Sequence, residues 1–483
     1  MHLDLRTMRF ADTDLDQDRQ AVVGCDRSLS WQTLKEEAQR WLGRAIELGA
    51  RPDVPIVLSG HKQAAFFTAM TACLILGAPF VPVDSIYPDE RRQRIAELVG
   101  AALHYRADTD TFEPTGQAAS PLEEKGLAYV LFTSGSTGEP KGVQIGRESV
   151  QLLSQWMRTR FGLGEAPVFM NQAPFSFDLS MFEVFGTLGS GGTCVLNARE
   201  LIQDGPAFLQ RLARERITCW VSTPSFAHQQ LLNKTFSGTD LPTVNTFLFC
   251  GEVLPHALCV RLRQRFPQAR ILNTYGPTEA TVATTLIEVD QAVLDAHKVL
   301  PVGYAKPECL IEIHDGEICV VGDHVMRGYL NQPDLNQARM FRHTDGRRGL
   351  RTGDLGHLDA DGLLWCQGRR DDQVKLNGYR IELPEIALAL QSLDEVKNAV
   401  CLALRRPDNS VARLVGFVEL TEHGRPSGAI EWAPYPATNW KPPLERRLPP
   451  YMLPSEIMVV DAFPMSVNQK IDGKALLETY LGK

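Results

Sequence analysis

Between Leu131 and Gly142 the chain reads LFTSGSTGEPKG, a short segment holding four hydroxyls, three glycines and one lysine. That set of groups suits an anion. Thr133, Ser134, Ser136 and Thr137 offer hydroxyl donors to phosphate oxygens, and Lys141 adds a cation. Gly135, Gly138 and Gly142 let backbone N–H groups approach closely and tolerate positive φ. The preceding Ala128 to Phe132 reads as a buried strand, so the loop is expected at a strand's carboxyl end, where α/β folds bind ligands. It is not a Walker A loop, because Gly138 is followed by Glu139-Pro140-Lys141 and not by Lys-Ser/Thr. Composition alone fits a flexible Gly/Ser/Thr turn equally well, so the elements around the loop and the rest of the chain must decide.

Those elements alternate. Val54 to Ser59, Thr246 to Cys250 and Arg270 to Asn273 are strand-like apolar runs, whereas His256 to Phe266 has helical spacing. The pattern predicts an α/β fold, with parallel-rich sheets flanked by helices. Near Gly368 a charged GRRDDQ run interrupts it, either as a hinge or as a solvated charge cluster. Beyond it, Asn377-Gly378 between alternating apolar residues predicts a type I′ hairpin, and Pro384 suits the first turn of a helix continuing through Glu385 to Leu393. The expected organisation is a large N-terminal domain over residues 1–370 and a small α+β C-terminal domain over residues 371–483, joined by a hinge.

Composition narrows the function classes. A chain of 483 residues with 44% apolar content can bury a large core. Its net charge of −8 and lack of a basic stripe argue against a nucleic-acid partner. The ten cysteines form no CxxC pair and no metal-ligand spacing, which points to reduced thiols in the cytoplasm; Cys73, Cys219 and Cys401 are expected in the core. The acidic N-terminus lacks the basic start and apolar core of a signal peptide. Ala64 to Val83 is uncharged and long enough for a membrane span, but Gly77, Pro79 and Pro82 divide it. A buried helix to about Leu76 followed by a strand through Asp84 is expected instead, with no membrane insertion.

Further segments follow in a fixed order: FSFDLS (Phe175 to Ser180), NTYGPTEAT (Asn273 to Thr281), RTGDL (Arg351 to Leu355), GRRDDQVKLNGYRIEL (Gly368 to Leu383) and NQKIDGKAL (Asn468 to Leu476). With the opening loop they resemble the adenylate-forming superfamily of acyl- and amino-acid-activating enzymes, over nearly the whole chain. Within it, NQAPFSFDLS, STPSF, FCGEVLP and LNTYGPTEATVA look most like the ligases that load D-alanine onto a carrier protein. The resemblance implies ATP and Mg²⁺ as reactant and cofactor. It places Glu279 on Mg²⁺, Thr278 on the α-phosphate, Tyr275 stacked on adenine and Asn273 at the adenine's polar edge. Asp354 would bind the ribose hydroxyls, Arg369 would lie on the ribose or phosphate side, and Asp371 holds the hinge position. Lys470 would bridge the substrate carboxylate and ATP oxygens during adenylation, with Lys474 a surface-exposed neighbour.

The resemblance also implies a substrate. Asp178 matches the carboxylate that pairs with the α-ammonium in amino-acid-activating members. Leu179, Phe182, Leu248, Cys250, Thr274, Val282 and Ala283 would line a small uncharged acyl pocket, with Cys250 beside the chiral centre or else a core thiol. D-alanine fits this best. A stand-alone adenylation enzyme for L-alanine, glycine or serine in natural-product synthesis is the alternative; an acyl-CoA synthetase is disfavoured by Asp178, and a non-catalytic nucleotide sensor by the complete set of motif residues. No carrier-like segment follows Lys470, so the acceptor is expected to be a separate phosphopantetheinylated acyl or peptidyl carrier protein. The chain departs from the family pattern at Gln469, where glycine is usual, and at Leu350, where an aromatic is usual. Met181 to Phe185 also differs from the D-alanine enzymes. The segment Leu310 to Gly322 is shorter than usual and is expected to lack a hairpin.

Overall fold

Apolar strands and the helices between them build two parallel-cored sheets in the computed structural model, which describes residues 1–11, 18–135, 137–406, 410–421, 432–464 and 471–482. One sheet has seven strands, in the spatial order Gly328–Tyr329, Lys141–Gly146, Leu127–Thr133, Phe80–Asp84, Ile56–Gly60, Leu103–Arg106 and Thr111–Pro114. The other has nine, and its parallel centre runs through Arg270–Tyr275, Thr246–Phe249, Cys219–Ser222, Val168–Asn171, Thr193–Leu196 and Gln20–Val23. Antiparallel strands occur only toward the edges of both.

The helix Ala64–Leu76 shows why the uncharged run is not a membrane span. Its side chains from Ala64 through Leu74 are buried, and the helix stops at Gly77 in the left-handed region, φ 79°. A helix apolar all round must be covered all round, and here it shares one core with residues of both parallel sheets and with the helix Ser180–Ser190. Among the described residues no helix is long and apolar enough to cross a membrane. Phe80–Asp84 follows as the expected strand. A separate core on the outer face of the nine-stranded sheet contains Trp220, Phe236, Phe247 and Phe266, packed as a cluster of aromatic rings. Cys73, Cys219 and Cys401 are buried, as their apolar surroundings suggest.

An antiparallel sheet of Leu310–His314, Glu317–Val321, Met340–Arg342, Arg348–Leu358 and Leu364–Arg369 completes this region. Its first two strands correct one expectation. Leu310 to Gly322 is itself a hairpin, paired from Leu310↔Val321 to His314↔Glu317, with Asp315 and Gly316 both at positive φ in the turn. A two-residue turn needs no extra length, which is why the short segment still folds back. Leu350 is buried between Val320 and Met340 in the same sheet, so a branched aliphatic fills its position.

By contact density the chain divides into two compact units, one of residues 1–85, 96–132 and 142–370, the other of residues 86–95, 133–141 and 371–483. The second unit contains the hairpin Gln373–Leu376 and Tyr379–Glu382, whose turn residues Asn377 and Gly378 have φ 51° and 83°, the signature of a type I′ turn. Pro384 lies in the first turn of the helix Leu383–Gln391, which ends short of Leu393. The helix packs on a mixed sheet of Val396–Arg405, Val411–Leu420, Glu456–Val459 and Ala433–Pro434.

Candidate active site

The strand Arg270–Tyr275 carries Asn273, Thr274 and Tyr275 to its carboxyl end, where the chain turns back on itself through residues 276–283. Gly276 makes that turn possible. A Cβ there would lie 2.5 Å from the Cα of Ala283 and 2.9 Å from the carbonyl oxygen of Val282. Thr281 and Val282 take positive φ, 58° and 67°, which is strained for β-branched side chains. The strain is held in place by several bonds. Cys250 Sγ donates to the Val282 carbonyl at 3.6 Å, Thr281 Oγ1 to the His324 carbonyl at 2.7 Å, and Met326 N to the Glu279 carbonyl at 2.7 Å. Thr278 and Glu279 occupy the 3₁₀ turn within this loop, both buried, and the Tyr329 hydroxyl donates to Glu279 Oε1 at 2.7 Å.

Asp354 meets this strand end from the antiparallel sheet. Its Oδ2 accepts from the Tyr275 hydroxyl at 2.6 Å, and its Oδ1 from Arg369 Nη1 at 2.7 Å. Arg369 stands directly across the ladder from Asp354, so strand register alone makes the pair. Thr352 supports both, its Oγ1 accepting from the Asp354 N–H and its carbonyl from Arg369 Nη2. Burial, reinforced by the Asp354 charge, pushes the Tyr275 phenol well above its usual range, so it remains a donor. Asn273 is also buried, its amide donating to the Pro301 carbonyl at 2.8 Å.

Several of the residues expected to line an acyl pocket lie beside this turn. Leu248 lies on the strand next to Leu272, Cys250 directly follows that strand, and the Thr274 hydroxyl donates to the Phe249 carbonyl at 2.7 Å. Val282 and Ala283 form the returning arm, and Lys306, wholly buried, donates from Nζ to the Ala283 carbonyl at 3.1 Å. Asp178 is half-buried at the entry to the helix Ser180–Ser190, its carbonyl accepting from Met181 N. Its charge helps raise the buried Tyr129 phenol, after burial itself. Leu179 and Phe182 are buried on the same stretch.

The hydroxyl- and glycine-rich loop belongs to the second unit. Gly135 is required there, since a Cβ would lie 1.9 Å from the Glu139 carbonyl oxygen, and Gly138 has φ 82°. The loop already engages anions. Lys141 Nζ lies 2.9 Å from Glu382 Oε1, and Gly135 N–H donates to Glu385 Oε2 at 3.0 Å. Glu385 is paired in turn with Arg91 at 2.6 Å. Ser134 Oγ donates to the Arg380 carbonyl, Thr133 Oγ1 is buried without a hydrogen-bond partner, and Thr137 is exposed. Asp371 begins the continuous part of this unit. Lys470 and Ser136 lie outside the described residues, and Lys474 is exposed on the helix Gly473–Leu481.

Several of these groups escape a reading of motifs. Glu382 and Glu385 sit in RIELPE, where their charge looks like that of a helix start. Lys306 and Lys62 are single lysines in apolar stretches, and burial lowers the ammonium of each to about 8. The one signal for Lys62 is its position just before an uncharged run.

A family model described as AMP-binding enzyme matches residues 11–113 and 105–330. A D-alanine–D-alanyl carrier protein ligase of Bacillus cereus is 38% identical over 497 aligned positions, covering 95% of this chain and 96% of its own. The protein of the same name from Bacillus anthracis is 38% identical over 496 positions, with the same coverage of 95% and 96%. Among solved structures, the Vibrio cholerae adenylation domain AlmE in complex with glycyl-adenosine-5'-phosphate superposes with a TM-score of 0.82, over 99% of this chain and 97% of that one. At 20% identity that likeness concerns the fold alone.

Proposed function

Because the chain belongs to the family of AMP-binding enzymes, we propose that it joins D-alanine to AMP at the expense of ATP and then passes the D-alanyl group to the phosphopantetheine thiol of a separate carrier protein in the cytoplasm. The observation that carries this reading is the turn of residues 276–283. Thr278 and Glu279 lie in its 3₁₀ turn and Cys250 bonds to its Val282 carbonyl, so the groups proposed to face phosphate and those proposed to line the acyl pocket share a single strained loop. The kinship to the Bacillus ligases over nearly the whole chain supports D-alanine as the amino acid.

Two anionic reactants must be brought together before they can react. Asp178 would pair with the D-alanine ammonium, while Leu248, Cys250, Val282 and Ala283, all buried and apolar, would line the place of its methyl. Asp354 would accept from the ribose hydroxyls, and a carboxylate that already holds Tyr275 and Arg369 still has lone pairs for two further donors. Tyr275 and Asn273 would flank the adenine. The 133–141 loop, with the Lys141 ammonium and its glycine N–H groups, would take the β- and γ-phosphates in place of the carboxylates it now engages.

Glu279 fits Mg²⁺ in chemical type, being a buried hard-oxygen donor oriented by Tyr329. When bound there, the ion would neutralise phosphate charge. The D-alanine carboxylate oxygen would attack the α-phosphorus, breaking its bond to the bridging oxygen and releasing pyrophosphate, with Thr278 and Lys470 stabilising the charge that develops. In the second step the carrier thiolate would attack the acyl carbon and AMP would leave. Residues 371–483 would rotate about Asp371 between the two steps, withdrawing Lys470 and bringing the Gly378 hairpin to the thiol's path.

Pyrophosphate exchange into ATP, run with a panel of D- and L-amino acids, fatty acids and aryl acids, tests this. D-alanine should stimulate exchange most strongly, and labelled D-alanine should load a phosphopantetheinylated carrier but not its apo form. Exchange with L-alanine, glycine or serine in preference would transfer the reading to that amino acid. Exchange driven by a fatty or aryl acid and by no amino acid would overturn it.

A further inference from the structure

We infer that Lys62 is a positioning residue for amino-acid binding, a buried ammonium that ties down the segment carrying Asp178. This rests on the proposed role of Asp178. Lys62 lies between the strand Ile56–Gly60 and the helix Ala64–Leu76, and its side chain is among the largest fully buried ones. A lysine so placed is rare, because removing an ammonium from water is costly unless its donors are used.

Here they are used on one target. Nζ donates to Asn171 Oδ1 and to the Ala173 carbonyl, and it sits 4.7 Å from the centre of the Phe175 ring. These three residues span the connection from the strand Val168–Asn171 toward Asp178 and the helix Ser180–Ser190. Phe175 also packs against Phe66, at 5.1 Å between ring centres. The Asn171 amide extends the clamp, donating to Ala173 O at 3.3 Å and to Glu183 Oε1 at 3.0 Å, in the first turn of the helix that follows Asp178.

Chemistry explains why an ammonium does this work. The connection has no ladder partner for the Ala173 carbonyl, and it brings an amide oxygen and an aromatic face to the same buried point. One cation with three donors serves all three. Glu183 Oε2 has no hydrogen-bond partner and burial raises its carboxyl to about 8, while its Oε1 is engaged by the Asn171 amide. Asp84 contributes at longer range while paired with His61 and Arg199. With its donors committed to Asn171 and Ala173 and its ammonium against the Phe175 ring, Lys62 anchors the 171–175 segment, and Asp178 inherits its place from that anchor.

The test measures KM for the amino acid and KM for ATP separately, by pyrophosphate exchange, in the full-length chain. Lys62→Met keeps the length and removes the donors. It should raise KM for D-alanine about 10- to 100-fold while the ATP value moves less than about 2-fold. In an Asp178→Asn background the same substitution should add less than about 2-fold, since both act through one contact. Phe175→Leu, which removes only the ring face, should move the same parameter in the same direction and serves if Lys62→Met fails to fold. An unchanged D-alanine KM, equal rises in both KM values, or an undiminished effect in the Asp178→Asn background would overturn the inference. The wild-type chain is measured first with whichever amino acid it activates, so a wrong substrate appears there and a wrong role for Lys62 appears only in the variants.

Discussion

Replacing Asp354 with asparagine separates the structural role of the carboxylate that joins two sheets from its proposed nucleotide-binding role. In the folded chain both oxygens accept from buried or nearly buried donors, the Tyr275 hydroxyl at 2.6 Å and Arg369 at 2.7 Å, and the Asp354 and Arg369 side chains are only 9% and 14% exposed. Asparagine keeps the shape and one acceptor, but it turns an NH₂ toward the other donor and removes the charge. Losing one charge-assisted hydrogen bond costs about 1.5–3 kcal/mol, and breaking a buried pair outright costs about 3–5 kcal/mol. Without nucleotide, therefore, the variant should melt several degrees lower. The proposed ribose contact would be a second, separate loss. An amide offers one acceptor where the carboxylate offers two, so the same 1.5–3 kcal/mol should appear again as a rise of about 10- to 150-fold in KM for ATP. Pyrophosphate exchange with ATP varied at saturating D-alanine reads that term, and exchange with D-alanine varied should show little change. A lowered melting temperature with an unchanged ATP KM would refute the ribose assignment and leave Asp354 a structural residue. A rise confined to the D-alanine KM would refute the placement of the nucleotide.

Three further outcomes are expected. Lys470→Ala should cut adenylate formation by about 10²- to 10³-fold and spare thioester formation from preformed adenylate, measured as separate half-reactions; an equal fall in both with the fold intact would end the two-conformation scheme. Cys250→Ala and Cys250→Val should shift the D- to L-alanine preference in opposite directions by about 10- to 200-fold, the scale of one methyl, whereas an unchanged ratio in both would make Cys250 a core thiol. His324 is wholly buried with neither ring nitrogen hydrogen-bonded, and burial, then the Lys306, Arg348 and Arg347 charges, holds it well below its ordinary 6.5. The unfolded chain binds that proton and the folded chain does not, so this contribution to stability is present above about pH 6.5 and is lost as pH falls below it. His324→Phe should flatten the fall in melting temperature between pH 7 and pH 5, and an unchanged slope would refute the assignment.

Much of the fold was legible because its signals are local. The uncharged Ala64–Leu76 run, the Gly77 stop and the Phe80–Asp84 strand follow from apolar pattern and glycine geometry, as does the type I′ turn at Asn377-Gly378, and each is settled within a few residues. The shortness of Leu310–Gly322 hides its hairpin, although Asp315-Gly316 carries the turn signal. The motif order also drew Asn273, Tyr275, Thr278, Glu279 and Cys250 toward one site, since most of them share a strand end and its turn.

Contacts between distant parts of the chain were decided by tertiary structure alone. Asp354 meets Arg369 because two strands pair in that register, and it meets Tyr275 because a separate sheet ends there. The Lys141 and Gly135 donors find Glu382 and Glu385 about 250 positions away. Lys62 reaches Asn171 and Ala173 across more than a hundred residues. Sequence periodicity specifies which face a residue buries and where an element stops. It holds no information on what lies across the buried face, and the lowered ammonium of Lys62 and the raised phenol of Tyr275 arise first from the water that tertiary burial excludes, with the Asp354 charge reinforcing the second.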